Sequence, residues 1–71
     1  MEDKNPISFV TELAAQTRNS LEFYFRNMKL GKFACEVKFM GKKIVTGFGN
    51  NKKTAKVQAS KLAIEYIRNS N

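Results

Sequence analysis

Lys52, Lys53 and Lys56 fall at the start of a segment whose pattern predicts a C-terminal helix, and their joint chemistry is anion binding. A helix N-terminus carries partial positive charge, so carboxylates are favoured there and each cation costs about 0.3–1 kcal/mol, before mutual repulsion is added. A sequence shaped for stability alone would place Asp or Glu in that turn. A bound anion removes the penalty, because it answers the ammonium groups together with the backbone N–H groups of Lys52 to Thr54. Lys52 and Lys56, four residues apart, share a helix face, and Lys53 lies beside them. A row of ammonium groups suits a row of phosphates.

Other chemistries lack their parts. The chain has no His and one cysteine, Cys35, so ordinary structural zinc sites have no ligand set and no internal disulfide can form. The six acids are scattered over the N-terminal residues, both helices and the strands, which leaves no group with a partner for acid–base or nucleophilic work. The sequence therefore predicts no enzyme, no catalytic residue, no metal, no cofactor and no small-molecule substrate. Cys35 falls on the inward face of a strand and is expected to be an inert buried thiol.

The charge is unevenly spread. Residues 1 to 28 hold three bases and four acids, whereas residues 29 to 61 hold nine lysines against Glu36 alone; the whole chain carries +7. Such asymmetry points to nucleic acid or another acidic surface. Lysines serving solubility alone would be interspersed with more acids. No apolar run approaches the roughly 18 residues of a membrane span, and Met1-Glu2-Asp3-Lys4-Asn5 is no secretory signal, so a soluble protein without a membrane partner is expected. The unpaired cysteine favours a reducing, intracellular setting, nucleus and cytoplasm not being distinguished.

These lysines need a scaffold, and 71 residues supply one domain, expected over residues 5–69 with short flexible termini at 1–4 and 70–71. Asn5-Pro6 reads as a helix start, with Asn as cap and Pro at the first helical position. Phe9, Val10, Leu13 and Ala14 form an apolar stripe to about Thr17, with Ser8, Thr11, Glu12 and Gln16 opposite. Leu21 to Asn27 alternates as a half-buried strand with Leu21, Phe23 and Phe25 on one face. After a turn at Met28 to Lys32, a second strand points Phe33, Cys35, Val37 and Phe39 inward and Ala34, Glu36 and Lys38 outward. Gly41-Lys42-Lys43 is expected to make a tight hairpin turn into a third, shorter strand carrying Ile44, Thr46 and Phe48, where Gly47 and Gly49 permit a bulge or close backbone approach. Asn50-Asn51 then caps a helix whose inward stripe is Ala55, Ala59, Leu62, Ala63, Tyr66 and Ile67. The predicted class is α+β, in the order α-β-β-β-α, with an antiparallel three-stranded meander.

Three segments together resemble the double-stranded RNA-binding domain family. Asn5-Pro6-Ile7-Ser8-Phe9-Val10-Thr11-Glu12-Leu13 resembles its first helix, Phe33 to Phe48 with Gly47-Phe48-Gly49 its second and third strands, and Asn51-Lys52-Lys53-Thr54-Ala55-Lys56 with Ala59 and Ala63 its signature Lys-Lys-x-Ala-Lys. The likeness covers about residues 5 to 68. It implies both helices packed on one face of the sheet and double-stranded RNA as partner, read by A-form shape, 2′-hydroxyls and phosphates with little sequence preference. Members of that family span about 16 base pairs, a property of the family and not a measurement on this chain. The resemblance further implies that Lys52, Lys53 and Lys56 hold phosphates and that Ser8, Thr11 and Glu12 enter a minor groove. The family's longer loop after the first strand carries Gly-Pro-x-His; Asn27-Met28-Lys29-Leu30-Gly31-Lys32 is shorter and has neither the Pro nor the His, leaving Lys29 and Lys32 as candidate loop contacts.

Two other readings compete. Lys32 to Phe39 loosely resembles the aromatic strand of RNA-recognition-motif proteins, but lacks the Gly after the basic residue and sits in the wrong element order. The alternative function is a degenerate module of the same fold acting mainly in protein–protein interaction or dimerisation. The short loop favours it, and Val57 and Ile64 on the exposed part of the last helix, with Met28 and Leu30 in the turn, are its candidate contacts.

Overall fold

The Asn5 side chain accepts a hydrogen bond from the Ile7 amide at 2.8 Å while Pro6 occupies the first helical position, so the chain enters its first helix as the pattern predicts. In the computed structural model, which describes residues 5–69, helix α1 spans Pro6–Gln16, strands β1, β2 and β3 span Leu21–Asn27, Phe33–Phe39 and Lys42–Gly49, and helix α2 spans Lys52–Asn69. The expected flexible termini, 1–4 and 70–71, lie outside the described residues. Helix α1 ends with Arg18 in the left-handed region, the Arg18 amide donating to the Ala15 carbonyl and the Asn19 amide to that of Ala14.

The sheet has the order β1-β2-β3, antiparallel throughout, with Phe23 opposite Val37 and Val37 opposite Val45. Val10 and Ala14 of α1, Cys35, Val37 and Phe39 of β2, and Ala55, Ala59, Ala63 and Ile67 of α2 form one buried cluster, which places both helices on the same face. Phe23, Phe33 and Ile64 pack against it, half-buried.

Several residues lie elsewhere than the pattern predicts. The hairpin turn is Met40-Gly41, both with positive φ as a two-residue type I′ turn requires, and Lys42 and Lys43 already belong to β3. Because β3 starts early it has eight residues and is longer than its neighbours. The register slips at Val37/Lys38, leaving Ile44 as the extra residue of a bulge, so Ile44 and Val45 both reach the core. Beyond the bulge Val45, Gly47 and Gly49 face the helices, while Thr46 and Phe48 face away and Phe48 is exposed. Ala34 is buried although it faces outward, between Arg26 and Phe48 on the flanking strands. On α2, Leu62 and Tyr66 are exposed, whereas Ser60 is fully buried.

The face of α2 is set by close approach. A Cβ placed on Gly47 would lie 2.6 Å from the Ala59 Cα and 2.9 Å from the Ala55 carbonyl oxygen; one on Gly49 would lie 2.6 Å from the Ala55 amide nitrogen. Backbone therefore rests on backbone, and the alanines are the side chains that fit. Ser60, buried beside them, has an Oγ without a hydrogen-bond partner among the described residues.

Gly47→Ala is expected to lower stability by about 1–3 kcal/mol, since α2 must lift to admit the methyl group. Ser60→Ala should raise it by about 1 kcal/mol, by removing an unsatisfied buried hydroxyl. Urea unfolding monitored by circular dichroism checks both; an unchanged midpoint for Gly47→Ala would contradict the close approach.

Candidate nucleic-acid interface

The start of α2 is fixed by Asn51. Its carbonyl accepts from the Ala55 amide at 3.0 Å and its side-chain Oδ1 accepts from the Thr54 amide at 2.8 Å. Of the three amides expected to face an anion, Thr54 is thus already bonded, and those of Lys52 and Lys53 remain without a partner among the described residues. Asn50, one residue earlier, is not the cap.

The three lysines do not behave alike. The Lys56 ammonium sits 4.7 Å from the centre of the Phe23 ring and that of Lys52 sits 5.9 Å from the Phe25 ring, so α2 lays two cations over two aromatic faces of the edge strand β1. The match is one of repeat lengths: two strand residues advance about 6.8 Å and four helix residues about 6 Å. Phe23 and Phe25 point to the helix side of the sheet, and Phe25 stays partly exposed beneath Lys52. Lys53 is exposed with neither a ring nor a carboxylate beside it among the described residues. Alternation alone puts both phenylalanines on one face of a half-buried strand and does not show them under the lysines; the signal in the sequence is the pairing of i, i+2 aromatics on a strand with i, i+4 cations on a helix.

Phe33, the first residue of β2, pairs with Asn27 on one side and Gly49 on the other. The turn after β1 and the start of α2 therefore leave the same end of the sheet, which brings Lys29 and Lys32 to the end that carries Lys52 and Lys53. That turn is tight: the Met28 amide donates to the Lys32 carbonyl at 2.7 Å, and Leu30 takes φ 60° with its side chain 95% exposed. Five residues closed in this way project little beyond the strand ends.

Ser8, Thr11 and Glu12 lie on the exposed side of α1, opposite buried Val10 and Ala14, and α1 packs on α2. The Thr11 hydroxyl donates to the Ile7 carbonyl at 2.7 Å, leaving its oxygen to accept. The three share a face by helical spacing, since residues three and four apart are neighbours.

Carboxylates of the sheet are kept off this side. Glu22 and Glu36 stand on the outer face, where Glu36 meets Arg26 at 3.7 Å and Lys43 at 3.5 Å, and Glu22 accepts from the Tyr24 hydroxyl at 2.7 Å, which holds that phenol above its ordinary pKa. Burial pushes the Cys35 thiol up, against the pull of nearby Lys56, so it stays protonated and is no nucleophile at neutral pH. Among the described residues no cluster of His, Cys, Asp and Glu is able to hold a metal ion, and no helix is long and apolar enough to cross a membrane.

No curated protein matches the chain. The family described as the double-stranded RNA binding motif matches residues 6–67, nearly all of both helices and the whole sheet. That family is one of binding domains, its partner is double-stranded RNA, and its α-β-β-β-α order is the order found here. With its match running from the first helical residue to the last turn of α2, this chain belongs to the double-stranded RNA-binding motif family.

Proposed function

We propose that the domain binds double-stranded RNA by recognising A-form shape, with Lys52, Lys53 and Lys56 on phosphates and Ser8, Thr11 and Glu12 at 2′-hydroxyls of a minor groove. The observation that carries this reading is the lysine group at the start of α2, two members of which lie over Phe23 and Phe25, Lys52 exposed and Lys56 half-buried. A side chain already held in place loses less freedom when it meets a phosphate, so each contact retains more of its gain.

Shape recognition follows from what each partner offers. The major groove of A-form RNA is too deep and narrow for side chains to read, whereas the wide minor groove displays ribose hydroxyls. Short hydroxyl and carboxylate groups on one face of α1 suit the second task, and long cations suit phosphates across the first. Lys29 and Lys32 add charge at the same end of the sheet, but their short turn limits them to phosphates. Binding therefore rests more heavily on the α2 lysines than it would with a long loop.

Lys52, Lys53 and Lys56 changed singly to Ala are each expected to weaken binding of every duplex sequence alike and to reduce the slope of log K against log salt by about one unit. Titration of an RNA duplex, a DNA duplex and single strands at several salt concentrations checks this. Equal affinity for B-form DNA would overturn recognition by shape, and full RNA affinity after replacing all three lysines would overturn the site.

Phe23→Leu and Phe25→Leu should behave differently, because they keep the charges and remove only the rings beneath them. Affinity should fall about two- to fivefold for each, equivalent to an exposed cation–π contact of about 0.5–1 kcal/mol, with the salt slope unchanged. A reduced slope would mean that these variants had lost a phosphate contact outright, against a purely positioning role.

A further inference from the structure

The end of the sheet away from the lysine group has its own feature. Phe39, Met40, Lys42 and Ile44, from the β2–β3 hairpin, and Tyr66, from the last turns of α2, line an open groove of about 230 Å³. That exceeds the roughly 150 Å³ of an apolar cavity known to admit a benzene ring. Lys42 is the one charged side chain in the lining and has no carboxylate partner among the described residues, whereas its neighbour Lys43 is paired with Glu36. Leu62, exposed and four residues before Tyr66 on α2, extends the apolar surface along the helix.

Met40 is the residue that stability does not account for. It is the first of two left-handed positions in the turn, with φ 58°, where Asn is the favoured residue before Gly and a long side chain is disfavoured. It is also 63% exposed, so burial does not offset the backbone strain. Its amide is tied to the Ser20 carbonyl at 3.1 Å, which fixes the backbone and aims no polar group into the groove.

We propose that this groove is a docking site for a segment of a partner protein that presents an aliphatic or aromatic side chain beside a carboxylate. The apolar walls take the side chain, and unpaired Lys42 takes the acid. Charge decides between occupants. A second copy of this chain would bring +7 against +7 at a basic rim. Nucleic acid offers phosphates to a lining that is otherwise apolar, on the end of the sheet opposite Lys52 and Lys53. An acidic, apolar segment meets both features, and it leaves the lysine group open. On α2 the exposed large apolar residues are Leu62 and Tyr66, whereas Val57 and Ile64 are half-buried and Ile64 packs against the core.

The test is a nuclear magnetic resonance titration of the full chain, carrying labelled methionine methyl groups, with two blocked hexapeptides: a Leu-Leu pair flanked by Asp, and the same pair flanked by Lys. The Met40 methyl should shift saturably with the acidic peptide at millimolar concentration and respond weakly to the basic one. Met40→Asn should weaken the acidic peptide about tenfold while the domain becomes no less stable to urea, because Asn-Gly suits the turn. Lys42→Glu should reverse the preference between the two peptides. An RNA duplex added in excess should leave the acidic peptide bound. Absence of a saturable shift, equal response to both peptides, a Met40 shift produced by raising the protein concentration alone, or displacement of the peptide by RNA would each overturn the proposal.

Discussion

The contact between Gly47 and Gly49 of β3 and the first turns of α2 governs the rest of the molecule. Because no Cβ intervenes, the helix backbone descends onto the strand, and Ala55, Ala59 and Ala63 are what fits along the seam. The domain is thin in consequence, 17 Å in its shortest principal dimension, and its core is made largely of small residues. Larger apolar side chains lie at the rim: Phe25 under Lys52, Tyr66 beside the hairpin, and Leu62 exposed on α2. A helix held this low also lets Lys52 and Lys56 reach across the sheet to β1. The placement of Lys52 and Lys56 over β1 and the exposure of Tyr66 at the rim both go with this one backbone contact.

Electrostatics at the start of α2 are more nearly balanced than charge placement alone suggests. Cations in the first turn oppose the helix dipole by about 0.3–1 kcal/mol each, and an exposed cation–π contact returns about 0.5–1 kcal/mol. For Lys52, in the first turn, the two terms offset each other within the folded domain, whereas Lys56, one turn further on, has its ring contact where the dipole has largely faded. Lys53 has no such compensation among the described residues. The lysine triplet thus divides into two cations oriented by rings and one without that contact.

Element order, both helix starts and the alternation of the first two strands were legible because each rests on local chemistry: Asn5 with Pro6, Asn51 before the lysines, and the aromatic alternation of Leu21 to Asn27; the alternation of β3 was not, because its bulge depends on pairing with β2. What escaped depended on neighbours. The hairpin lies one residue earlier than the pattern suggests, because Gly41 marks a turn without saying which side of it the turn occupies, and Met40 is a poor left-handed residue. The α2 stripe was drawn through Leu62 and Tyr66 because large apolar residues usually mark the inner face; here glycines on β3 favour the small ones and rotate that face toward Ser60. Ala34 faces outward as its alternation dictates, yet its burial depends on Arg26 and Phe48, which come from other strands. Among the site residues, the lysines were visible as a pattern, whereas Phe23 and Phe25 beneath them require the sheet edge and the helix to be seen together.

Among the described residues, three other than glycine hold the left-handed conformation, Arg18, Leu30 and Met40, each in a different connection. Such a residue costs of order 1–2 kcal/mol, which is not trivial against the 5–15 kcal/mol that holds a small domain folded. Arg18 is excused by its place, since a cation after the end of α1 suits the negative end of the helix dipole. Leu30 and Met40 have no such excuse, and both are exposed apolar side chains, one at each end of the sheet. Leu30 stands between Lys29 and Lys32 at the end that carries the α2 lysines; Met40 stands at the groove beside Lys42. Strain and exposure coincide twice, each time beside a lysine with no carboxylate partner among the described residues, once at each end of the sheet.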